Sequence, residues 1–322
     1  SETSNVRRQT TRPGHELRQA SGKWKMQYLR RGRQNGVGRA RVRSTVVAML
    51  SGMLVSCAAV NQLNLLSTAD EVAIGRQAAA EVEKEVAILD DPVVLAYVDS
   101  LGQVLARHSK RPNLTYHFKV VDTDDMNAFA LPGGWLYVNR GLIAAAANES
   151  ELAGVVGHEI AHVVARHGAR QISKQFGLAM LVQLAVGDDP SLAREIAGQF
   201  AQMGAWLTLL KYGRDAEREA DYLAVQETHA AGVDPEGVAT FFEKLLALHE
   251  AEPEGAAVWF STHPPSWERI ANVRSQIAKL PARSGLRKDS ERFQTIKARV
   301  GARRKTEDRP KRPAPEGRRR RR

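Results

Sequence analysis

The run His158-Glu159-Ile160-Ala161-His162 places two imidazoles four residues apart with a carboxylate between them. On a helix, positions four apart differ by about 40° around the axis, so both rings project from one face and can bind one ion. Glu159 falls on an adjoining flank, where it can take a proton from a metal-activated water without ligating the metal. The chemistry implied is metal-assisted hydrolysis. Five residues can match such a pattern by accident, so the surroundings matter. Asn148 is a good N-cap with Glu151 three residues on, which predicts a helix from Glu149 through about His167 that closes at Gly168. Leu152, Val155, Val156, Val163 and Val164 make that helix a buried one. Two histidines and a glutamate on a buried helix are costly unless something pairs with them, and a cation supplies the partner.

A catalytic zinc takes three protein ligands and keeps one position open. A third histidine six residues after His162 is absent, because position 168 is Gly168, and Ala165 stands where the metzincin arrangement has glycine. The remaining source is a carboxylate on a second helix, and Arg214-Asp215-Ala216-Glu217-Arg218-Glu219-Ala220-Asp221 offers one. Glu217 and Asp221 are four apart, beside the small Ala220 that lets helices approach closely. Glu217 is expected to ligate one Zn2+ and Asp221 to hold the far nitrogen of a liganding histidine, fixing its tautomer. In isolation the same stretch would read as a solvated charged helix.

Composition removes several competing functions. The chain has 322 residues, a formal net charge of +11 and one cysteine, Cys57. No intramolecular disulfide and no thiolate zinc cluster can be built. The basic charge is an end effect: residues 1–56 hold 12 Lys/Arg against 2 Asp/Glu, and residues 301–322 hold 11 against 3, which leaves the body mildly acidic. With 6% aromatic content as well, nucleic acid is an unpromising partner.

The elements that must position these residues follow an α+β pattern. Helical spacing covers Ser67–Val86 and Pro92–His108. Leu114–Val121 alternates as a half-buried strand, and Asn127–Ala130 runs through the Pro132-Gly133-Gly134 turn into Trp135–Asn139, predicting a hairpin. Further helices are expected at Gln171–Val186, Ser191–Leu210, Asp215–Ala231, Glu236–His249 and Pro265–Leu280. Residues 301–322 lack apolar periodicity and are expected to be disordered, with Arg318–Arg322 as a possible binder of anionic surfaces. Near the other end, a basic stretch precedes the apolar run Val46–Ser56, which is too short to span a membrane. It ends in Leu54-Val55-Ser56-Cys57, which resembles a bacterial lipobox. The expected organisation is therefore a leader over 1–56, a domain over 57–300 and a tail over 301–322, with a membrane anchor at Cys57. The leader is long for a signal peptide and the sequence opens on Ser1, so Met26 is an alternative start.

HEIAH, READYL, the upstream NAFALPGGWLYVNRGL and the downstream STHPPSWERI together resemble the gluzincin peptidases of the HtpX and CAAX prenyl protease type, and among them the periplasmic BepA-like or LoiP-like branch. The resemblance runs from about Leu63 to about Ile296 with four motifs in order. It implies a mainly helical zincin domain with a small antiparallel sheet whose edge strand borders the active-site cleft. It also implies zinc on His158, His162 and Glu217, with Glu159 as acid/base and Asp221 behind a ligand. The strand from Gly133 and Gly134 through Trp135 and Tyr137 to Asn139 would border the cleft and receive substrate as an added strand. His263 of the His-Pro motif would approach the metal and hold the enzyme latent, although a plain helix-entry histidine fits there too. His263 and Arg269 are candidates for oxyanion stabilisation. The resemblance implies unfolded or misassembled envelope proteins as substrates, in the periplasm, at the outer membrane. A metal-bound chaperone or scaffold with little turnover would keep the same ligands, and the presence of Glu159 favours turnover. His167 matches neither pattern and reads as a charge partner for the helix C-terminus.

Overall fold

In the computed structural model, the described residues are 64–186, 211–251 and 253–307. The expectations for the leader, for Cys57, for Ser191–Leu210 and for Arg318–Arg322 fall outside them. The described residues begin with α1 (Thr68–Glu85), opened by a capping box between Ser67 and Asp70. It continues with α2 (Pro92–Arg107), started by Asp91 as N-cap and Pro92 in the first turn. Three strands follow, β1 (His117–Val121), β2 (Ala128–Leu131) and β3 (Trp135–Asn139). The positive φ of Gly133 and Gly134, 74° and 104°, makes the tight turn between β2 and β3.

The expected hairpin forms, with β2 antiparallel to β3, but β1 joins it in parallel and the order is β1-β3-β2. The sheet is therefore mixed rather than antiparallel, and β3 is its centre. The cause is that residues 122–127 carry the chain past the neighbouring position to β2, which runs opposite to β1, and the tight turn then brings β3 back between the two. Trp135–Asn139 is hydrogen-bonded on both sides and cannot take a further strand. β2 has β3 alone as a strand partner among the described residues.

Helices build the rest: α3 (Arg140–Ala145), α4 (Glu149–Val164), α5 (His167–Val186), α6 (Arg214–Ala230), α7 (Glu236–Ala251), α8 (Pro253–Thr262), α9 (Trp267–Ile277) and α10 (Glu291–Glu307). α3, α8 and α10 were not anticipated, and α10 runs past Val300, where the tail was expected to begin. All sixteen residues of α4 are buried. α6 and α7 pack along α4, α2 lies across it, and β2 runs beside it. At the crossing with α7, a Cβ on Gly154 would come within 2.8 Å of the Val238 backbone nitrogen, so the absent side chain permits the approach. Among the described residues no helix is long and apolar enough to cross a membrane.

α4 ends earlier than its sequence suggests. Arg166 adopts φ 58°, a left-handed conformation uncommon outside glycine, and α5 starts at the next residue. Gly168 follows the last periodic residues closely enough to imitate the closing glycine, but the reversal happens two residues before it. Arg166 is held in place by its Nε to Glu71 Oε2 (2.9 Å) and its Nη2 to the Leu66 carbonyl (2.6 Å). Glu71, buried on α1, also pairs with Arg111, whose Nη1 donates to the Val163 carbonyl at the end of α4. One carboxylate thus ties down both the helix end and the turn.

Candidate metal centre

α4 presents His158 and His162 on one face with their Nε2 atoms 3.0 Å apart. Glu217, in the first turn of α6, reaches between them: Oε2 is 3.4 Å from His158 Nε2 and Oε1 is 3.5 Å from His162 Nε2. His263, just past α8, brings Nδ1 to 3.1 Å from Glu217 Oε1 and Nε2 to 3.5 Å from Glu159 Oε1. One ligand atom each from His158, His162, Glu217 and His263 lies within 4.8 Å of the others, and all four residues are buried.

These distances fit a tetrahedral cation. Ligand atoms about 2.0–2.1 Å from a zinc-sized ion stand about 3.3 Å from one another. The two Nε2 atoms are 3.0 Å apart, and the two Glu217 oxygens lie one against each ring, at 3.4 and 3.5 Å. Two imidazole nitrogens aimed at each other in a buried hole make sense when a positive charge lies between them. Burial alone would keep His158 neutral, but the carboxylates of Asp221 and Glu217 outweigh it and hold the ring's pKa up at about 9. The position demands a cation, and where a proton satisfies it a metal can compete for the same lone pair. Glu217 resists its own burial because His263 and His158 face it, which holds its carboxyl well below the usual range. His162 is driven well below its ordinary value, first by burial and then by His158. Burial pushes the Glu159 carboxyl up, and its Oε1 has no hydrogen-bond partner. The N–H of Ala130 donates to the Glu159 carboxylate, not to that oxygen, so β2 borders the site.

Behind this triangle stand two different supports. His158 Nδ1 faces Asp221 Oδ1 at 3.1 Å, and Arg269 grips Asp221 with Nε at 2.8 Å and Nη2 at 2.7 Å. Arg269 also contacts Glu217 Oε2 at 2.9 Å, donates to the Pro264 carbonyl at 3.0 Å and lies over the Phe242 ring at 4.5 Å. Its buried guanidinium thus clamps two carboxylates at once. His162 Nδ1 lies 2.8 Å from His167 Nδ1, and His167 Nε2 lies 3.2 Å from Glu219 Oε2. The charge-partner reading of His167 is thereby replaced. Sequence spacing hid this, since five residues along one helix put a side chain about 140° off. Tyr212, also unforeseen, stacks on His162 with ring centroids 4.3 Å apart. A cleft of about 300 Å³ opens beside the cluster, lined by Tyr212, Arg214, Glu217, Pro264 and Arg269 among others.

The profile of peptidase family M48 matches residues 92–277, which takes in β1 to β3, α4, Glu217, His263 and Arg269. The chain belongs to peptidase family M48. Family M48 membership makes it a metallopeptidase, in agreement with the resemblance read from its motifs. The beta-barrel assembly-enhancing protease of Escherichia coli (strain K12) is 30% identical over 245 residues, covering 73% of this chain and 49% of that protein. Metalloprotease YcaL of the same organism is 30% identical over 221 residues, 66% of this chain and 82% of YcaL. The mitochondrial metalloendopeptidase OMA1 of Schizosaccharomyces pombe is 32% identical over 182 residues, 56% of this chain and 52% of OMA1. The matched segment thus spans about half the length of the first of these M48 relatives.

Proposed function

We propose that the chain is a zinc-dependent endopeptidase in which His158, His162 and Glu217 hold one zinc ion and Glu159 moves the proton. The observation that carries this reading is the buried cluster in which the two imidazole Nε2 atoms stand 3.0 Å apart and each has a Glu217 carboxylate oxygen within 3.5 Å. A bound zinc would supply Lewis acidity there, lowering the pKa of a water toward about 7 and polarising the scissile carbonyl. Glu159 would accept the proton of the attacking water and pass it to the leaving amine nitrogen. Asp221 holds the far side of His158, with Arg269 keeping that carboxylate in place.

His263 reaches the same cluster, with Nε2 lacking a hydrogen-bond partner and standing 3.5 Å from Glu159 Oε1. We assign it to the open coordination position in a latent state, from which it must withdraw before substrate enters. Substrate backbone is placed along β2, whose Ala130 N–H already points at Glu159. This replaces Trp135–Asn139 as the acceptor of an added strand. The name of the Escherichia coli relative refers to β-barrel assembly, and with the lipobox-like run before Cys57 it supports a periplasmic, outer-membrane-anchored enzyme acting on misassembled envelope proteins.

The test uses the full chain, its zinc content and its cleavage of an unfolded protein. Glu159→Gln retains one zinc per chain and loses cleavage by about 10²–10⁴-fold. Unchanged cleavage would overturn the role of Glu159. His263→Ala raises cleavage if His263 blocks the metal, and an equal or lower rate removes the latch. Mass spectrometry of the mature N-terminus decides the anchor, since an unmodified Cys57 ends that part of the reading.

A further inference from the structure

His162 is held by a residue that neither the motif nor its spacing identifies. Its Nε2 faces His158 and Glu217, so in the coordination reading above, on which this inference rests, that nitrogen must offer a lone pair. The ring then carries its proton on Nδ1, and the group waiting there is His167 Nδ1 at 2.8 Å. Two imidazole nitrogens at that distance need one donor and one acceptor. With His162 donating, His167 accepts at Nδ1, carries its own proton on Nε2, and donates to Glu219 Oε2 at 3.2 Å. Glu219 Oε2 accepts from Arg170 Nη1 at 3.0 Å as well. Each ring nitrogen along the chain acquires one role, and a single tautomer assignment satisfies all of them.

The backbone is arranged to make this contact. His167 is the first residue of α5, and it reaches back to His162 because the chain reverses at Arg166 with φ 58°. Such a conformation is strained at a non-glycine residue and persists where the surroundings over-determine it. The surroundings here are Glu71 and the Leu66 carbonyl, both gripped by the Arg166 guanidinium.

We propose that His167 is a positioning residue for the metal site: it accepts the His162 Nδ1 proton, fixes that ring's tautomer and orientation, and is itself aligned by Glu219. Asparagine makes the informative conservative variant, because its side-chain oxygen lies where the imidazole Nδ1 lay, and phenylalanine keeps a ring with no acceptor. Zinc affinity of the full chain is measured by competition with a chromophoric chelator, alongside thermal unfolding of the metal-free forms. His167→Phe weakens zinc binding about 10–100-fold, and His167→Asn restores most of the loss even though both variants forfeit Glu219. Wild-type affinity in His167→Phe, or equal weakness in the two variants, would overturn the proposal. A second readout needs no metal: nitrogen-15 NMR of the metal-free wild type places the His162 proton on Nδ1, and His167→Phe shifts it toward Nε2. A wild type that binds no zinc would sink the coordination reading, whereas an unshifted tautomer in His167→Phe would sink the relay.

Discussion

His158 and His162 stand one turn apart on α4, yet the groups behind them differ in chemistry and in burial. Behind His158 lies a carboxylate, Asp221, locked by a guanidinium that also reaches Glu217, with every member of the arm buried. Behind His162 lies a second imidazole, and the arm ends at the Glu219–Arg170 pair, whose side chains are 42% and 22% exposed. The first arm is interdependent: each buried charge is tolerable because the others are present. The second delivers the same orientation through a neutral ring and lets its charges end where water screens them. The comparison teaches that one site can orient two equivalent ligands at very different electrostatic cost, and that damage to the two arms should be read out in different ways.

The largest effect is expected from breaking the clamp. Arg269→Leu leaves the Asp221 and Glu217 carboxylates buried without their common cation, which costs about 3–5 kcal/mol of stability. Urea unfolding of the metal-free chain checks this, and wild-type stability would mean the charges are not interdependent. Asp221→Asn is expected to lower zinc affinity by about 10–100-fold, read by chelator competition. A loss no greater than that of a surface variant would remove Asp221 from the site. Glu219→Gln is expected to be milder, about 0–1 kcal/mol, and its effect should shrink as salt rises. A salt-independent loss as large as that of Asp221→Asn would erase the distinction between the arms.

Glu227, near the far end of α6, sharpens the same comparison from outside it. Its carboxyl is buried with neither oxygen hydrogen-bonded, and burial, only partly offset by Lys110, raises its pKa well above the ordinary 4.5. The folded state holds this proton more tightly than the unfolded one, so its contribution to stability is complete below about pH 4.5 and falls as pH rises through the folded-state value. Glu227→Gln should flatten that fall above about pH 4.5 while leaving zinc affinity unchanged. Identical pH slopes for variant and wild type would contradict this account.

Much of the site was legible because its determinants are local. The four-residue spacing of His158 and His162, the Asn148 cap and the apolar flanks of α4 all lie within one helix, and Glu217 and Asp221 announce themselves by the same spacing beside Ala220. The sheet was less legible: the β2–β3 hairpin follows from Pro132-Gly133-Gly134, but the parallel pairing of β1 with β3 is non-local, and with it the identity of the free edge. Arg269 could not be told from an ordinary helical arginine until α9 was seen against α6. His167 was misread because Gly168 looks like a helix terminator, while the turn is made by Arg166 through contacts with residues about a hundred positions earlier.

The central claim is that one zinc ion is held by two imidazoles from α4 and a carboxylate from α6. Anomalous diffraction at the zinc edge from crystals of the zinc-loaded full chain tests it most directly. The account predicts one strong peak within about 2.0–2.2 Å of His158 Nε2, His162 Nε2 and a Glu217 oxygen. A peak elsewhere, or one that leaves Glu217 outside bonding distance, would contradict it.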